Sequence, residues 1–330
     1  MFRMQIQSKK KCIWYCSAAV SFLLFLLLNL WCDHLVNMQD AQQMAGRWSE
    51  KKDVAQISCF FSSKAEVTED TIQSFEYSLK NVLQEASITE TSENPGARLW
   101  VDAYSADGKI TLVNGRNKLD ANAIGIGGDF FLFHPLKLIT GSYFSGNDLM
   151  QDYCIIDQDA AWQLFGSNDV VGMTVYIGNV PHIVTGVVRR PQGRMEKAAG
   201  LTSTVVYVSY ETLETYGTSN GINHYEIVMP NPVDEFAYGK VKDGIGIDEK
   251  NVEIVENSRR YSLPNRIKTI LAFGTRSMNG KAIIYPYWEN LARGYEDIIA
   301  LLTVFMLLLL LYPVVTVIWC FVHWWRHKGW

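Results

Sequence analysis

The chain has 330 residues, 48% of them apolar and 19% charged, with a formal net charge of −4. That is enough chain for more than one core, and a mildly acidic balance offers no footprint for nucleic acid. Cysteine is sparse, with six in all, which argues against a disulfide-rich scaffold.

The first recognisable element is apolar. Ile13 to Cys32 carries no charge and is centred on Phe22 to Leu28; about 20 such residues cross the hydrocarbon core of a bilayer as a helix. A second uncharged stretch runs from Ile298 to Val322, with Pro313 inside it. Trp14, Tyr15 and Trp31 flank the first span, and Trp288, Trp319, Trp324 and Trp325 the second, which predicts aromatic belts at the headgroups. Arg3 and Lys9 to Lys11 precede the first span and Arg326 and Lys328 follow the second, whereas Asp33, Glu296 and Asp297 lie on the other side. Positive flanks stay in the cytoplasm, so both termini are expected inside and residues 33–297 outside. All 34 acidic residues and 24 of the 30 basic ones lie in that middle segment, a formal charge of −10. No small residues follow the first apolar run at Asn29 to Asp33, so it is expected to remain as an anchor rather than to be cleaved.

The outer segment opens with a strand over 54–62. Thr68 then caps a helix with Glu69 and Asp70 in its first turn, and Ile72, Phe75, Leu79, Val82 and Leu83 share its apolar face. Leu99, Val101 and Ala103 alternate with polar or aromatic residues as a second strand, and Asp107-Gly108 predicts a hairpin turn into Ile110 to Val113. Between about 120 and 210 lie short β-branched runs: Tyr153 to Ile156, Met173 to Ile177, a turn at Gly178-Asn179, Ile183 to Val188 and Thr204 to Val208, with a short helix from Gln158 to Phe165. The strand-helix-strand order returns at the end, with Tyr225 to Met229, a helix opened by Pro232 through Phe236, Ala237 and Val241, and Val252 to Val255. Two β-α-β units suggest a ferredoxin-like sheet. The predicted fold class is therefore α+β: a split β-α-β lobe with a separate β-rich lobe inserted into it at about 120–210, between two transmembrane helices. The expected organisation is a cytoplasmic N-terminus over 1–12, spans at 13–32 and 298–322, an outer domain over 33–297 and a cytoplasmic tail over 323–330.

Catalytic and metal motifs resolve to structural readings. Gly125-Ile126-Gly127-Gly128 lacks the third glycine and the βαβ setting of a dinucleotide loop. Gly217-Thr218-Ser219-Asn220-Gly221 matches a nucleophile elbow in letters, but a helix precedes it and a strand follows, the reverse of what that turn requires. Asp157 and Asp159 read as caps and solvated charges beside a helix start. No Cys/His spacing fits zinc, and His323 and His327 sit among tryptophans as interfacial anchors. Cys59 and Cys154 are expected as free, buried apolar residues, with a bridge between them as the alternative. Tyr285 to Asn290 is expected to anchor at the membrane surface, with a stalk joint as the alternative. No catalytic, cofactor-binding or metal-binding residue is predicted, and the chain is expected not to be an enzyme.

The order of segments from Asp129 onward carries a resemblance. Pro135-Leu136-Lys137-Leu138 is followed by Gly141-Ser142-Tyr143-Phe144, Ala161-Trp162-Gln163-Leu164-Phe165-Gly166, Asp169-Val170-Val171-Gly172, Gly178 and Val184-Thr185-Gly186-Val187. In this order they resemble the MacB-like periplasmic core domain of permease subunits in MacB/FtsX-type ABC transporters, with Ser142 where that pattern has arginine. The resemblance covers roughly residues 50 to 300. It implies a membrane-proximal porter-like lobe, a distal β-rich lobe, and a role in export or regulation outside the membrane. It further implies a lipid bilayer setting, an ABC ATPase subunit and a second permease chain as partners. Such permeases have four transmembrane helices, so with eight residues after Val322 this chain is expected to couple to an ATPase only through that second chain. The alternative is a two-span sensor or ligand-binding module without transport.

Overall fold

The computed structural model describes residues 2–49, 51, 53–89, 98–273, 275 and 282–328, with side chains from 13 to 326 among them. In chain order it begins with α1 (Phe2–Asn37), α2 (Met44–Trp48), β1 (Val54–Phe61), α3 (Glu69–Glu85), the long pair β2 (Val101–Asn114) and β3 (Asn117–Gly128), and α4 (Phe130–Phe133). It continues through β4 (Leu138–Gly141), β5 (Tyr153–Asp157), α5 (Gln158–Phe165), β6 (Thr174–Ile177), β7 (Val180–Val188), α6 (Arg194–Ala198), β8 (Val205–Ser209) and α7 (Tyr210–Tyr216). The last elements are β9 (Thr218–Ser219), β10 (His224–Pro230), α8 (Phe236–Gly244), β11 (Val252–Glu256), α9 (Leu263–Ala272) and α10 (Tyr287–Lys328). The chain forms two compact units: residues Met1–Gln39, Tyr261–Arg276 and Gly294–Trp330, and residues Asp40–Arg260 and Ser277–Arg293.

In the first unit α1 and α10 are long and apolar enough to cross a membrane, and α10 continues through Pro313. They touch through small and polar groups. Ser17 Oγ lies 2.7 Å from the Tyr312 hydroxyl, Ser21 Oγ donates to the Leu309 carbonyl at 2.7 Å, and Trp14 meets Trp319 edge to face at 5.0 Å. Ser17 and Ser21 are four apart, so they share one face where the backbones can approach, as membrane helix pairs favour. Leu23, Leu27, Leu308 and Leu311 remain exposed on the outer faces. Helix α9 exposes Leu263, Ile267 and Leu271 along one stripe.

In the second unit the two β-α-β modules interleave. Numbered 1 to 4 in chain order, their strands β1, β2, β10 and β11 lie side by side as 4-1-3-2, with antiparallel neighbours throughout, the split ferredoxin-like arrangement. Helices α3 and α8 cover one face. From α3, Ile72, Phe75, Leu79 and Leu83 are buried against Ile57, Cys59, Tyr225 and Ile227, and each such side chain contributes about 1.5–3 kcal/mol by leaving water. Val82 sits at the margin, half-buried.

The β-rich part closes on itself. Strand β3 pairs with β8, β8 with β5, β5 with β7, β7 with β6, and β6 returns to the far end of β2 at Leu112 and Val113. The ring encloses Ile110, Leu112, Val175, Ile177, Val184 and Val206. Helix α5 spans the predicted residues, and Gly178-Asn179 forms the predicted turn, with φ of +58° and +67°.

Two expectations are corrected. The β-rich part is not a separate sheet: one hydrogen-bonded ladder of eleven strands runs through both parts. The reason is the β2–β3 hairpin, whose near half pairs with β10 at Val101 to Ser105 and whose far half joins the ring. Nor does the chain turn at Asp107-Gly108; β2 runs straight through to Asn114. Gly108 serves close approach instead, since a Cβ there would meet the Thr218 carbonyl oxygen at 2.4 Å and the Leu213 side chain at 2.9 Å.

Candidate functional site

Strand β1 alternates, as a pleated strand must. Ala55, Ile57, Cys59 and Phe61 face the helices, while Gln56, Ser58 and Phe60 face the other side. That second face is also buried: Gln56 and Ser58 are inaccessible, as are His224 and Glu226 on the neighbouring β10. It lies under α2, α4 and the first turn of α10, whose Met44, Phe130, Phe133 and Trp288 close over it.

Buried polar groups need partners, and here they form a chain. Ser58 Oγ donates to Glu226 Oε1 at 2.6 Å and accepts from Asn257 Nδ2 at 2.6 Å. Asn257 Oδ1 accepts from Arg260 Nη1 at 3.4 Å. Arg260 then grips Glu289 with two parallel bonds, Nη1 to Oε2 at 2.7 Å and Nη2 to Oε1 at 2.8 Å. Both residues are nearly fully buried. Arg293, one turn later in α10, donates to the same Glu289 at 2.7 Å and to Glu253 of β11 at 2.5 Å. Its guanidinium lies 3.9 Å over the ring centre of Tyr285, whose hydroxyl donates to Glu253 at 2.6 Å. Two arginines, two glutamates and a tyrosine thus bind the first two turns of α10 to β11 and to the segment after it.

This is the principal correction to the reading of Tyr285 to Asn290. Trp288 and Glu289 are buried inside the second unit rather than displayed at a headgroup belt. The signal was present in the sequence as Glu289 and Arg293, four apart on a helix face, but their partners Arg260 and Glu253 are distant in the chain.

A second feature is a cleft of about 630 Å³ lined by Glu76, Lys80, Arg98, Trp100, Asp102 and Tyr104, among others. Burial and the neighbouring Asp102 push the Glu76 carboxyl up to about 8, and burial raises Asp102 as well. The two carboxyls are hydrogen-bonded, and the Tyr225 hydroxyl donates to Asp102 at 2.9 Å. Two carboxyls in contact favour holding one proton between them.

Gly125 to Gly128 lie within β3, against β2 and β8. Gly217 ends α7, Thr218 and Ser219 form the short β9 beside β2, and Ser219 has no general base near it among the hydrogen bonds of the described residues. Asp157 caps α5 by accepting from the Ala160 amide at 2.8 Å, and Arg190 bridges it to Asp159 at 2.8 and 2.5 Å. Cys59 and Cys154 are both buried and free. The His323 ring stacks on Trp319 at 5.2 Å; the side chain of His327 lies outside the described residues.

The family model for the MacB-like periplasmic core domain matches residues 39–256, about two thirds of the chain. The chain is 31% identical over 96 residues to the macrolide export ATP-binding/permease protein MacB of Chromobacterium violaceum, covering 28% of this chain and 14% of that one. It is 30% identical over 116 residues to the protein of the same name from Pasteurella multocida, covering 34% and 18%. The match thus spans less than a fifth of either relative's length. Among solved structures, the extracellular domain of the noncanonic ABC-type transporter YknZ from Gram-positive bacteria aligns at 22% identity and a TM-score of 0.39, covering 61% of this chain and 99% of that one. The periplasmic region of MacB from Actinobacillus actinomycetemcomitans aligns at 20% and 0.41, covering 66% and 92%. With two helices able to span a bilayer and a family match over the domain between them, this is a membrane protein with an extracytoplasmic domain, and it belongs to the MacB-like periplasmic core domain family.

Proposed function

We propose that the chain is a non-catalytic membrane subunit of an ABC-type assembly, which passes motion between membrane helices and its extracytoplasmic domain for export or regulation. The observation that carries this reading is the root of α10. A helix able to cross the bilayer begins inside the folded domain, with Glu289 held by Arg260 in two bonds and by Arg293 in a third. Motion is transmitted only through contacts that hold in one state and change in another. A buried bidentate ion pair fixes geometry better than apolar contact does. Displacement of α10 would be felt along Arg260, Asn257 and Ser58 into β1 and β10. Both termini are assigned to the cytoplasm by the positive flanks of the spans. The partners in this reading are an ABC ATPase and a second permease chain, in keeping with relatives named as ATP-binding/permease proteins. The cleft at Glu76 and Asp102 favours a second reading, a two-span sensor whose outer domain captures a ligand.

The test uses native membranes. An ATPase and a second permease chain should co-purify with this chain. A cysteine placed at Ser145 should change its rate of labelling by an impermeant reagent when ATP is supplied inside. In Arg260→Met/Glu289→Leu that ATP effect should disappear while the complex still forms. A chain that purifies alone, with a small molecule retained and no response to ATP, would instead establish the sensor reading.

A further inference from the structure

Beside this ion-pair network, the buried polar face holds a cluster that the hydrogen-bond chain does not use up. His134, at the end of α4, and His224 and Glu226, two apart on β10, bring one ligand atom each to within 4.8 Å of one another. His134 is 5% exposed and the other two 1%. His134 Nε2 lies 2.7 Å from Glu226 Oε2, and His224 Nε2 lies 3.5 Å from Glu226 Oε1. Despite that proximity, His134 Nε2, His224 Nε2 and Glu226 Oε2 all lack an aligned hydrogen bond. Three buried polar atoms are thus grouped together, His134 and Glu226 at ion-pair distance, without an aligned hydrogen bond on any of them, where ordinary cores leave few such groups. We propose that these three side chains form a binding site for a first-row divalent transition cation, of which Zn²⁺ is the best match.

The donor set is the first argument. Two imidazoles and a carboxylate suit zinc and its neighbours, and disfavour calcium or magnesium, which take all-oxygen shells. Bonds of about 2.1 Å in a tetrahedron hold ligand atoms about 3.4 Å apart. His134 Nε2 and Glu226 Oε2, 2.7 Å apart, are closer than that, and the three ligand atoms all lie within 4.8 Å of one another, so side-chain adjustment would admit an ion.

The surroundings are the second. Zinc-bound histidines and carboxylates are held by partners on their other polar atoms. His224 Nδ1 lies 3.3 Å from Ser105 Oγ, and Glu226 Oε1 accepts from Ser58, which is itself held by Asn257. A fourth unsatisfied atom completes the picture. Trp288 Nε1 is buried without a partner, and its ring lies 4.3 Å from that of His134 and 5.3 Å from that of His224, centre to centre. An indole N–H can only donate. A water or hydroxide in the open fourth position of the ion is the kind of acceptor it lacks.

Charge is the third. A carboxylate sealed in a core needs a compensating positive charge. A divalent ion supplies the charge and satisfies the facing atoms together. It would also tie β10, the end of α4 and the Trp288 turn of α10 into one unit, so occupancy would stiffen the root of that helix. The site escapes sequence inspection because residue 134 is far in sequence from residues 224 and 226. The one local sign is two titratable residues, two apart, inside the otherwise buried strand of His224 to Met229.

The experiment uses the full chain in detergent, stripped with a chelator and then given Zn²⁺ alone. One equivalent should remain after gel filtration, and the melting temperature should rise with zinc concentration. Co²⁺ in place of Zn²⁺ should give the intense visible bands of a four-coordinate site, a readout that needs no variant. His134→Gln and His224→Gln should abolish the bound equivalent. Ser58→Ala, which leaves the three ligands in place and removes the hydroxyl between Asn257 and Glu226, should weaken binding about 10- to 100-fold. His323→Gln should leave it unchanged. Less than a tenth of an equivalent bound, absence of the cobalt bands, or an equivalent that survives both histidine changes or follows His323 would overturn the proposal.

Discussion

The two faces of the β1–β10 strand pair are equally buried and chemically opposite. One carries Ile57, Cys59, Tyr225 and Ile227 under Phe75, Leu79 and Leu83 of α3. The other carries Ser58, His224 and Glu226, with Arg260 and Glu289 continuing the polar run. An apolar face stabilises through area alone, and conservative changes in it are absorbed. A polar face must first overcome desolvation, so it contributes little net stability while every partner is present and becomes expensive once one is missing. The first face keeps the domain folded. The second determines where the root of α10 is held.

The largest effects should come from breaking the polar face asymmetrically. Arg260→Ala leaves Glu289 buried with only Arg293 and should cost about 3–5 kcal/mol in denaturant unfolding of the purified chain. The double change Arg260→Met/Glu289→Leu removes both charges and should recover most of that loss. If the double variant is as unstable as the single one, the ion pair is a net stabiliser and the contrast between the faces fails.

On the apolar face, Leu83→Ala should cost about 2–5 kcal/mol, because the side chain is inaccessible and its removal leaves a cavity. Leu83→Met, which keeps the volume, should cost less than about 1.5 kcal/mol. Equal losses for the two would indicate a rigid pocket rather than a face that works by area.

Much of the apolar face can be read in the sequence. The spacing of Ile72, Phe75, Leu79 and Leu83 identifies both α3 and the side it buries, and the ends of α5 and the Gly178 turn follow from local chemistry. The polar face is harder, because alternation of apolar and polar residues in β1 suggests a solvent side where there is a second buried layer. What covers it, α4 and the first turn of α10, comes from residues 130–133 and 287–290. Gly108 misleads for a related reason. Glycine beside aspartate signals a turn locally, whereas here β9 and α7 press on it from residues 213–218. A smaller test of that local chemistry is Gly178→Ala. Its φ is +58°, and the added methyl would sit 2.2 Å from the Tyr216 ring, so the change should cost about 1–3 kcal/mol by thermal melting. Ala at Gly46, where nothing lies within 4 Å, should be tolerated or slightly stabilising.

The smallest effect concerns the cleft, where polar groups are only half sealed. The Glu76 carboxyl is pushed up to about 8, by burial first and by Asp102 second. A carboxyl whose folded value lies above its unfolded one binds more protons in the folded state between the two values. Its contribution is therefore fully present below the ordinary glutamate range, near 4.5, and is lost as pH rises through about 8. Solvent screening of a half-buried group keeps the effect below about 1 kcal/mol. Glu76→Gln keeps the shape and cannot ionise. It should match the parent chain at pH 5 and melt higher at pH 8.5, with a flatter profile between. Asp102→Asn should flatten the same profile, since either change leaves one carboxyl without a like charge beside it. If the parent chain instead gains stability from pH 5 to 8.5 and Glu76→Gln leaves that rise untouched, the two carboxyls are already ionised and separately solvated. The cleft would then be an ordinary charged surface, and the difference between sealed and half-sealed polar groups in this domain would be one of degree.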